Sequence, residues 1–205
     1  MASSASFPDP EEARLIEVAR SGDLEAFNEL ARRYQDRLYH IAYRIMGDHD
    51  SAADAMQEAL IAAFRGIRGF RGGSFLAWLT RIVTNACYDE LRRRRRRPQA
   101  SLDALFVVDQ GPEAEMTLPP VEGPEFYVER RELADLLHRA IQSLPEDQRI
   151  VLVLSDIEGY SYEEIAGILQ VPLGTVKSRL SRARMRVRDF LLAHRELLPG
   201  TIRPS

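Results

Sequence analysis

Between Phe27 and Ile45 the apolar side chains fall three and four residues apart: Phe27, Leu30, Ala31, Tyr34, Leu38, Ile41, Ala42 and Ile45. That repeat is one stripe of a long α-helix. Shorter stripes follow. Met56, Ala59, Leu60, Ala63 and Phe64 form one; Phe75, Leu79, Ile82, Val83 and Ala86 form the next. No segment alternates apolar and polar residues as a half-buried strand does. The chain must therefore bury helix against helix, and the fold class is all-α.

Breakers and caps divide the stripes. Asp9-Pro10-Glu11-Glu12 supplies a cap, a first-turn proline and acids for the positive end of a short first helix. Ser21-Gly22-Asp23 ends it and caps the long helix, which Gly47 terminates. Asp50 or Ser51 is expected to cap the third helix. Gly66 and Gly69 loosen the chain, the loop Phe70–Ser74 leads into the fourth helix, and Pro98 stops it. Residues 99–123 lack helical period and contain Pro112, Pro119 and Pro120, the composition of a flexible linker. A helix resumes near Pro124 and runs to Ser143. Pro145-Glu146-Asp147 starts another, which ends at Gly159. Ser161-Tyr162-Glu163-Glu164 is a capping box. It opens a short helix, and the turn Val171–Gly174 separates that helix from a basic one starting at Thr175. The expected architecture is two small helical domains, residues 24–98 and 130–195. An extension (1–23) precedes them, a linker (99–129) joins them and a tail (196–205) follows.

Charge is segregated along the 205 residues, although the net charge is only −3. The first 60 residues are acidic. Residues 92–97 are six consecutive arginines. Residues 99–129 hold seven acids and no Lys or Arg, and residues 173–190 hold six basic side chains against one acid. A chain so divided should touch several partners of different charge.

The capped helix, tight turn and basic helix of residues 161–186 form a helix-turn-helix. Val176 and Leu180 should pack on Ile165 and Leu169. Lys177, Ser178, Ser181 and Arg182 then share the outward face, where Lys or Arg can grip guanine in the major groove. Thr175, Arg179 and Arg184 suit phosphates. The Arg92–Arg97 run points all round its helix, and on its own suits either a solvated helix end or a nucleic-acid contact. Phe70, Arg71, Ser74, Trp78, Arg81 and Asn85 combine aromatic, amide and guanidinium groups, as stacking on and reading unpaired bases requires.

Three segments carry a family resemblance. Asp54–Phe64 (DAMQEALIAAF) and Phe75–Asn85 (FLAWLTRIVTN) resemble the "D-x-x-Q-E" and "W-L-x-R-I-x-x-N" helices of the second conserved region of sigma-70 family factors. Residues 143–190 resemble the fourth region. An acidic linker stands where larger relatives carry a third region, which points to the small extracytoplasmic-function (ECF) group. The resemblance implies a sigma factor that binds RNA polymerase core enzyme and directs initiation at promoter DNA. It implies core binding through Asp54, Gln57, Glu58 and Ile61, and −10 contacts from Phe70, Arg71, Ser74, Trp78, Arg81 and Asn85, with a flipped base held near the loop 70–74. The basic helix would read the −35 element. Leu79 stands where larger relatives carry a second tryptophan, which implies weaker melting. The linker would follow the RNA exit path, its acids mimicking RNA, or serve as a tether. An anti-sigma factor is the implied regulatory partner.

The residues speak against an enzyme. Asp54 and Glu58 lack a third ligand at metal-site spacing. His40, His49, His138 and His194 are scattered, Cys87 has no histidine or redox partner nearby and reads as a small buried residue, and no phosphate-cradling glycine loop occurs. No cofactor or metal is expected. The N-terminus lacks the form of a signal peptide, and no apolar run is long enough to span a bilayer, so a cytoplasmic protein is expected. The alternative reading is a dimeric helix-turn-helix regulator that binds a palindrome unaided.

Overall fold

Each helix boundary can be traced to a few side chains. The computed structural model describes residues 9–96 and 124–197, with side chains described for 9–96 and 131–196. Helix α1 (Pro10–Arg20) starts at Asp9, whose carboxylate accepts from the Glu11 amide at 3.2 Å. Helix α2 (Leu24–Met46) starts at Asp23, which accepts from Ala26 N at 2.8 Å, and it ends at Gly47 in the left-handed region (φ 91°). Helix α3 (His49–Gly66) is capped by Asp48, two or three residues earlier than the expected Asp50 or Ser51. Ser51 is buried instead and donates to the Asp48 carboxylate. A 3-10 turn, Ile67–Gly69, precedes the loop into α4 (Phe75–Arg96).

The second unit contains α5 (Pro124–Gln142), α6 (Glu146–Leu152), a π-turn over Val153–Ile157, α7 (Tyr162–Leu169) and α8 (Leu173–Ala193). The capping box at Ser161 is complete: Ser161 Oγ accepts from Glu164 N at 3.2 Å, and Ser161 N donates to the Glu164 carboxylate at 2.8 Å. Helix α8 begins at Leu173, two residues before the expected Thr175, because Pro172 takes the cap position and its fixed φ suits a helix start. The turn is thereby shortened, and Gln170 adopts a left-handed φ of 53° to close α7.

Among the described residues there is no strand. Helices α1 to α4 pack together, α5 to α8 pack together, and α2 and α4 carry contacts to α5, α6 and α7. One apolar core spans both units, from Leu15 and Leu30 through Phe75 and Val83 to Leu154, Ile165 and Leu180. Residues 97–123 and 198–205, which hold most of the expected linker and tail, lie outside the described residues; residues 124–129, counted with the linker in the sequence, are helical and open α5. No described helix is long and apolar enough to cross a membrane.

Candidate nucleic-acid interface

Helix α8 buries Val176, Leu180 and Ala183. On α7, Ile165 and Ile168 are buried, while Leu169 is only partly so. That packing turns Lys177, Ser178, Ser181 and Arg182 to solvent. Lys177 and Arg182 make no hydrogen bond or ion pair among the described residues, so both are available to a groove. Ser178 Oγ is spent on Thr175 O at 3.0 Å. The two expected phosphate arginines are already engaged. Arg179 pairs with Asp147 at 3.0 Å. Arg184 grips Asp156 through two bonds of 2.9 and 2.7 Å, which raise its pKa further above the usual guanidinium range. Both salt bridges tie α8 to the rest of its unit.

The loop before α4 places the second set. Phe70 is buried, only 6% exposed, edge-on to Phe75 and 5.5 Å from Trp78. Its ring is a floor under the loop rather than an exposed stacking platform, and the half-buried Trp78 offers the more accessible aromatic surface. Ser74 Oγ accepts from Ala77 N at 3.1 Å and so caps α4. Arg71 and Asn85 are exposed and Arg81 is half-buried; none makes a side-chain bond among the described residues. A cleft of about 410 Å³ opens beside the loop, lined by Glu17, Arg20, Arg68, Phe70, Arg71 and Gly72.

The arginine run divides by function. Arg93 reaches Glu58 on α3 at 2.9 Å, and Arg94 reaches the α3 cap, Asp48, at 3.2 Å. Burial opposes charge on Asp48, but the bonds from Ser51 and Arg94 prevail and hold its carboxyl below the usual range. Arg95 and Arg96 are exposed and make no ion pair among the described residues, and Arg97 lies outside them. On α3, Asp54, Gln57, Glu58 and Ile61 are all exposed along one side, with Ile61 45% accessible.

Two regions of the chain match known family models: Sigma-70 region 2 over residues 30–97 and Sigma-70, region 4 over residues 134–187. The chain is also 40% identical over 179 residues to the RNA polymerase sigma-H factor of Pseudomonas aeruginosa, across 85% of this chain and 90% of that one. The chain belongs to the sigma-70 family of RNA polymerase sigma factors. Within the family it resembles the ECF RNA polymerase sigma-E factor of Escherichia coli K12, 40% identical over 171 residues, 83% of this chain and 88% of the relative. The solved structure of the sigma factor RpoE in complex with the anti-sigma factor NepR from Bartonella quintana superposes with a TM-score of 0.63. It has 30% identity, over 82% of this chain and 98% of that chain.

In this sigma factor the region 2 match begins at residue 30, so α1 lies outside it. Sequence reasoning passed over Glu17, Arg20 and Arg68, because each reads as an ordinary solvated helix charge until the fold brings α1 beside the loop. It also passed over Thr80 and Thr84, which are buried on α4 although a count of apolar residues skips them. Thr84 Oγ1 donates back to Thr80 O, and Thr80 Oγ1 shares a 2.8 Å hydrogen bond with Tyr160 of the second unit. Among the described residues no three His, Cys, Asp or Glu side chains converge as a metal site.

Proposed function

We propose that this ECF sigma factor engages RNA polymerase core through the exposed α3 face of Asp54, Gln57, Glu58 and Ile61. In this reading it contacts the −10 element with Arg71, Trp78, Arg81 and Asn85, and reads the −35 element with Lys177, Ser181 and Arg182 on α8. The observation that carries this is the pairing, on one chain, of two helices whose unpaired cationic or amide side chains face solvent. One is the fourth helix of a region 2 unit and the other the second helix of a helix-turn-helix. Arg179 and Arg184 support α8 from behind, and Ser74 positions α4 by capping it. As a sigma factor the chain supplies promoter choice, and bond-making belongs to the polymerase. We place it in the cytoplasm, where polymerase works. Because the RpoE structure contains the anti-sigma factor NepR, an inhibitory protein partner is part of the same reading.

Adding the purified protein to sigma-free core polymerase and sequencing transcripts from a fragmented genomic library tests this. Discrete start sites sharing two spaced upstream elements are expected. A folded protein that starts no transcript, yet protects a palindrome unaided, would identify a free-standing regulator instead.

A further inference from the structure

The described arginines at the end of α4, Arg92–Arg96, take no part in the contacts proposed above, and the fold sorts them by face. Arg93 and Arg94 turn toward α3. Arg93 pairs with Glu58 and Glu90 at 2.9 Å each, and Arg94 with Asp48 at 3.2 Å and Glu90 at 3.1 Å. Arg92, Arg95 and Arg96 are exposed and make no ion pair among the described residues. Arg81, Asn85, Tyr88, Arg92 and Arg95 fall four and three residues apart, and Arg96 lies four from Arg92, so all share one side of the helix. The side that carries Arg81 and Asn85 therefore runs on, as a row of cations, to the last turn. At 1.5 Å per residue the stretch from Tyr88 to Arg96 adds about 12 Å. That is three or four base steps of duplex at about 3.4 Å each.

A helix C-terminus favours cations, but Arg93 and Arg94 already stand there with carboxylates of their own. Arg92 repels Arg95 and Arg96 one turn on. Asp89 borders the row, is exposed, and forms no ion pair with it among the described residues. Such a surface suits a polyanion. Tyr88 narrows the choice. It is the aromatic of this stretch, and the Arg92 guanidinium lies over its ring, 5.7 Å from the centroid. An unpaired base could stack there only by displacing the arginine. Beyond Asn85, then, the row offers charge without an open stacking platform, which is the chemistry of backbone phosphates rather than of bases.

Resting on the −10 reading above, we propose that Arg92, Arg95 and Arg96 clamp phosphates of the double-stranded spacer beside the −10 element, on the side of the −35 element. In that reading Arg71 and Trp78, at the start of α4, meet the unpaired strand, so the far end of the helix meets paired DNA. Tyr88 orients Arg92. Arg93 and Arg94 hold the helix end on α3, so little ordering is left to be done on binding. The contact carries no sequence information. It adds affinity to every promoter alike and makes that affinity depend on salt.

The test uses the full-length protein bound to core polymerase and two fork-junction probes cut from a promoter mapped by the transcript sequencing above. In both, the −10 strand is unpaired. The long probe carries spacer duplex that stops short of the upstream element; the short probe carries none. Arg92→Gln, Arg95→Gln and Arg96→Gln are combined in one variant, and the matching Lys substitutions in another. Circular dichroism and core binding check that both fold. On the long probe the Gln variant should show a salt slope shallower by about 2.7, or about forty-fold less affinity lost between about 50 and 200 mM salt. The Lys variant should keep the wild-type slope, because the charge is retained. On the short probe all three slopes should agree, and mapped start sites should not move. A wild-type slope for the Gln variant on the long probe overturns the clamp, as does an equal change on both probes or a Lys variant as shallow as the Gln one. Asn85→Ala reports on the −10 reading separately. If it loses sequence preference while the Gln variant keeps the wild-type slope, the −10 reading stands and the clamp alone falls. If wild-type holoenzyme binds these probes no better than scrambled ones, both fall together.

Discussion

Arg149 shows how much one buried cation can be made to hold. Its guanidinium donates to Ile45 O at 2.7 Å, Gln142 O at 2.8 Å and Leu144 O at 3.1 Å, and among the described residues no carboxylate forms an ion pair with it. Burial lowers its pKa, yet an arginine remains charged there. The accepting carbonyls sit at or near the C-terminal ends of α2 and α5, where partial negative charge collects and intrahelical donors run out. Arg149→Ala would take the guanidinium donor from three carbonyls, two of them in buried bonds, so a loss of about 3 kcal/mol is expected by urea denaturation. Arg149→Lys should recover only part of this, because an ammonium cannot spread its donors over three acceptors in one plane. Cys87 is the opposite case. It is fully buried on α4, and desolvation pushes its thiol up to about 12. A thiol-specific reagent at pH 8 should leave it unmodified in the native protein and react once the chain is denatured. Rapid native labelling would mean that α4 opens locally.

At the scale of the helix, two faces of α8 separate structural support from the proposed recognition surface. Arg184 is spent on Asp156, whereas Arg182 is free on the outward face. Arg182→Ala should therefore cost about 1–3 kcal/mol in binding the matched upstream element, with little change in melting temperature. Arg184→Ala should act mainly on stability, with a small loss of DNA affinity. Footprinting of both variants alongside thermal melts separates the two; a uniform loss on all sequences for Arg182→Ala would show that it meets only phosphate. The same contrast marks what could be read from the chain itself. Helices α2, α4 and α7 were legible because their stripes and caps are local, and the solvent-facing side of α8 followed from the positions of Val176 and Leu180. The engagement of Arg179, Arg184 and Glu58 was not legible, since their partners lie 28 to 35 residues away. The Asp48 cap was hidden for a similar reason: Asp48, Asp50 and Ser51 are all competent caps, and Arg94 from α4 joins the Asp48–Ser51 pair. Phe70 looked like a stacking residue because composition cannot show that Phe75 and Trp78 enclose it.

For the whole molecule, the decisive contact is the docking of the second unit on the end of α2. His138 Nε2 donates to Gly47 O at 3.3 Å and Gln142 Nε2 to Arg44 O at 2.9 Å, while Arg149 takes Ile45 O. The open carbonyls of α2 are thus capped by side chains about a hundred residues away. Gly47 permits this closeness, since a Cβ there would fall 2.6 Å from the Gln142 side chain. Nearby, Glu158, only 8% exposed at its side chain, accepts from both Arg37 and Arg44. Docking leaves Asn85 and the outward face of α8 exposed, so it fixes the distance between the two helices proposed to contact DNA without covering either. Weakening it should expand the protein. Glu158→Lys sets a third cation against Arg37 and Arg44, and small-angle scattering should report a larger radius of gyration with helicity retained. Acid should act in the same direction through His138, which stacks on Tyr43, itself stacked on His49. Burial lowers the His138 pKa; the Gly47 bond and Asp135 oppose this, while Arg149 and His49 add to it. The docked state therefore favours neutral imidazole. Its contribution to docking is complete above the ordinary histidine pKa of about 6.5 and is lost as pH falls through that value toward the lower docked one. Scattering at pH 8 and at pH 5.5 should show expansion only in acid. His138→Phe keeps a ring against Tyr43 but cannot titrate, so it should flatten the pH response. If the variant still expands in acid to the same extent, the sensitivity does not lie in His138.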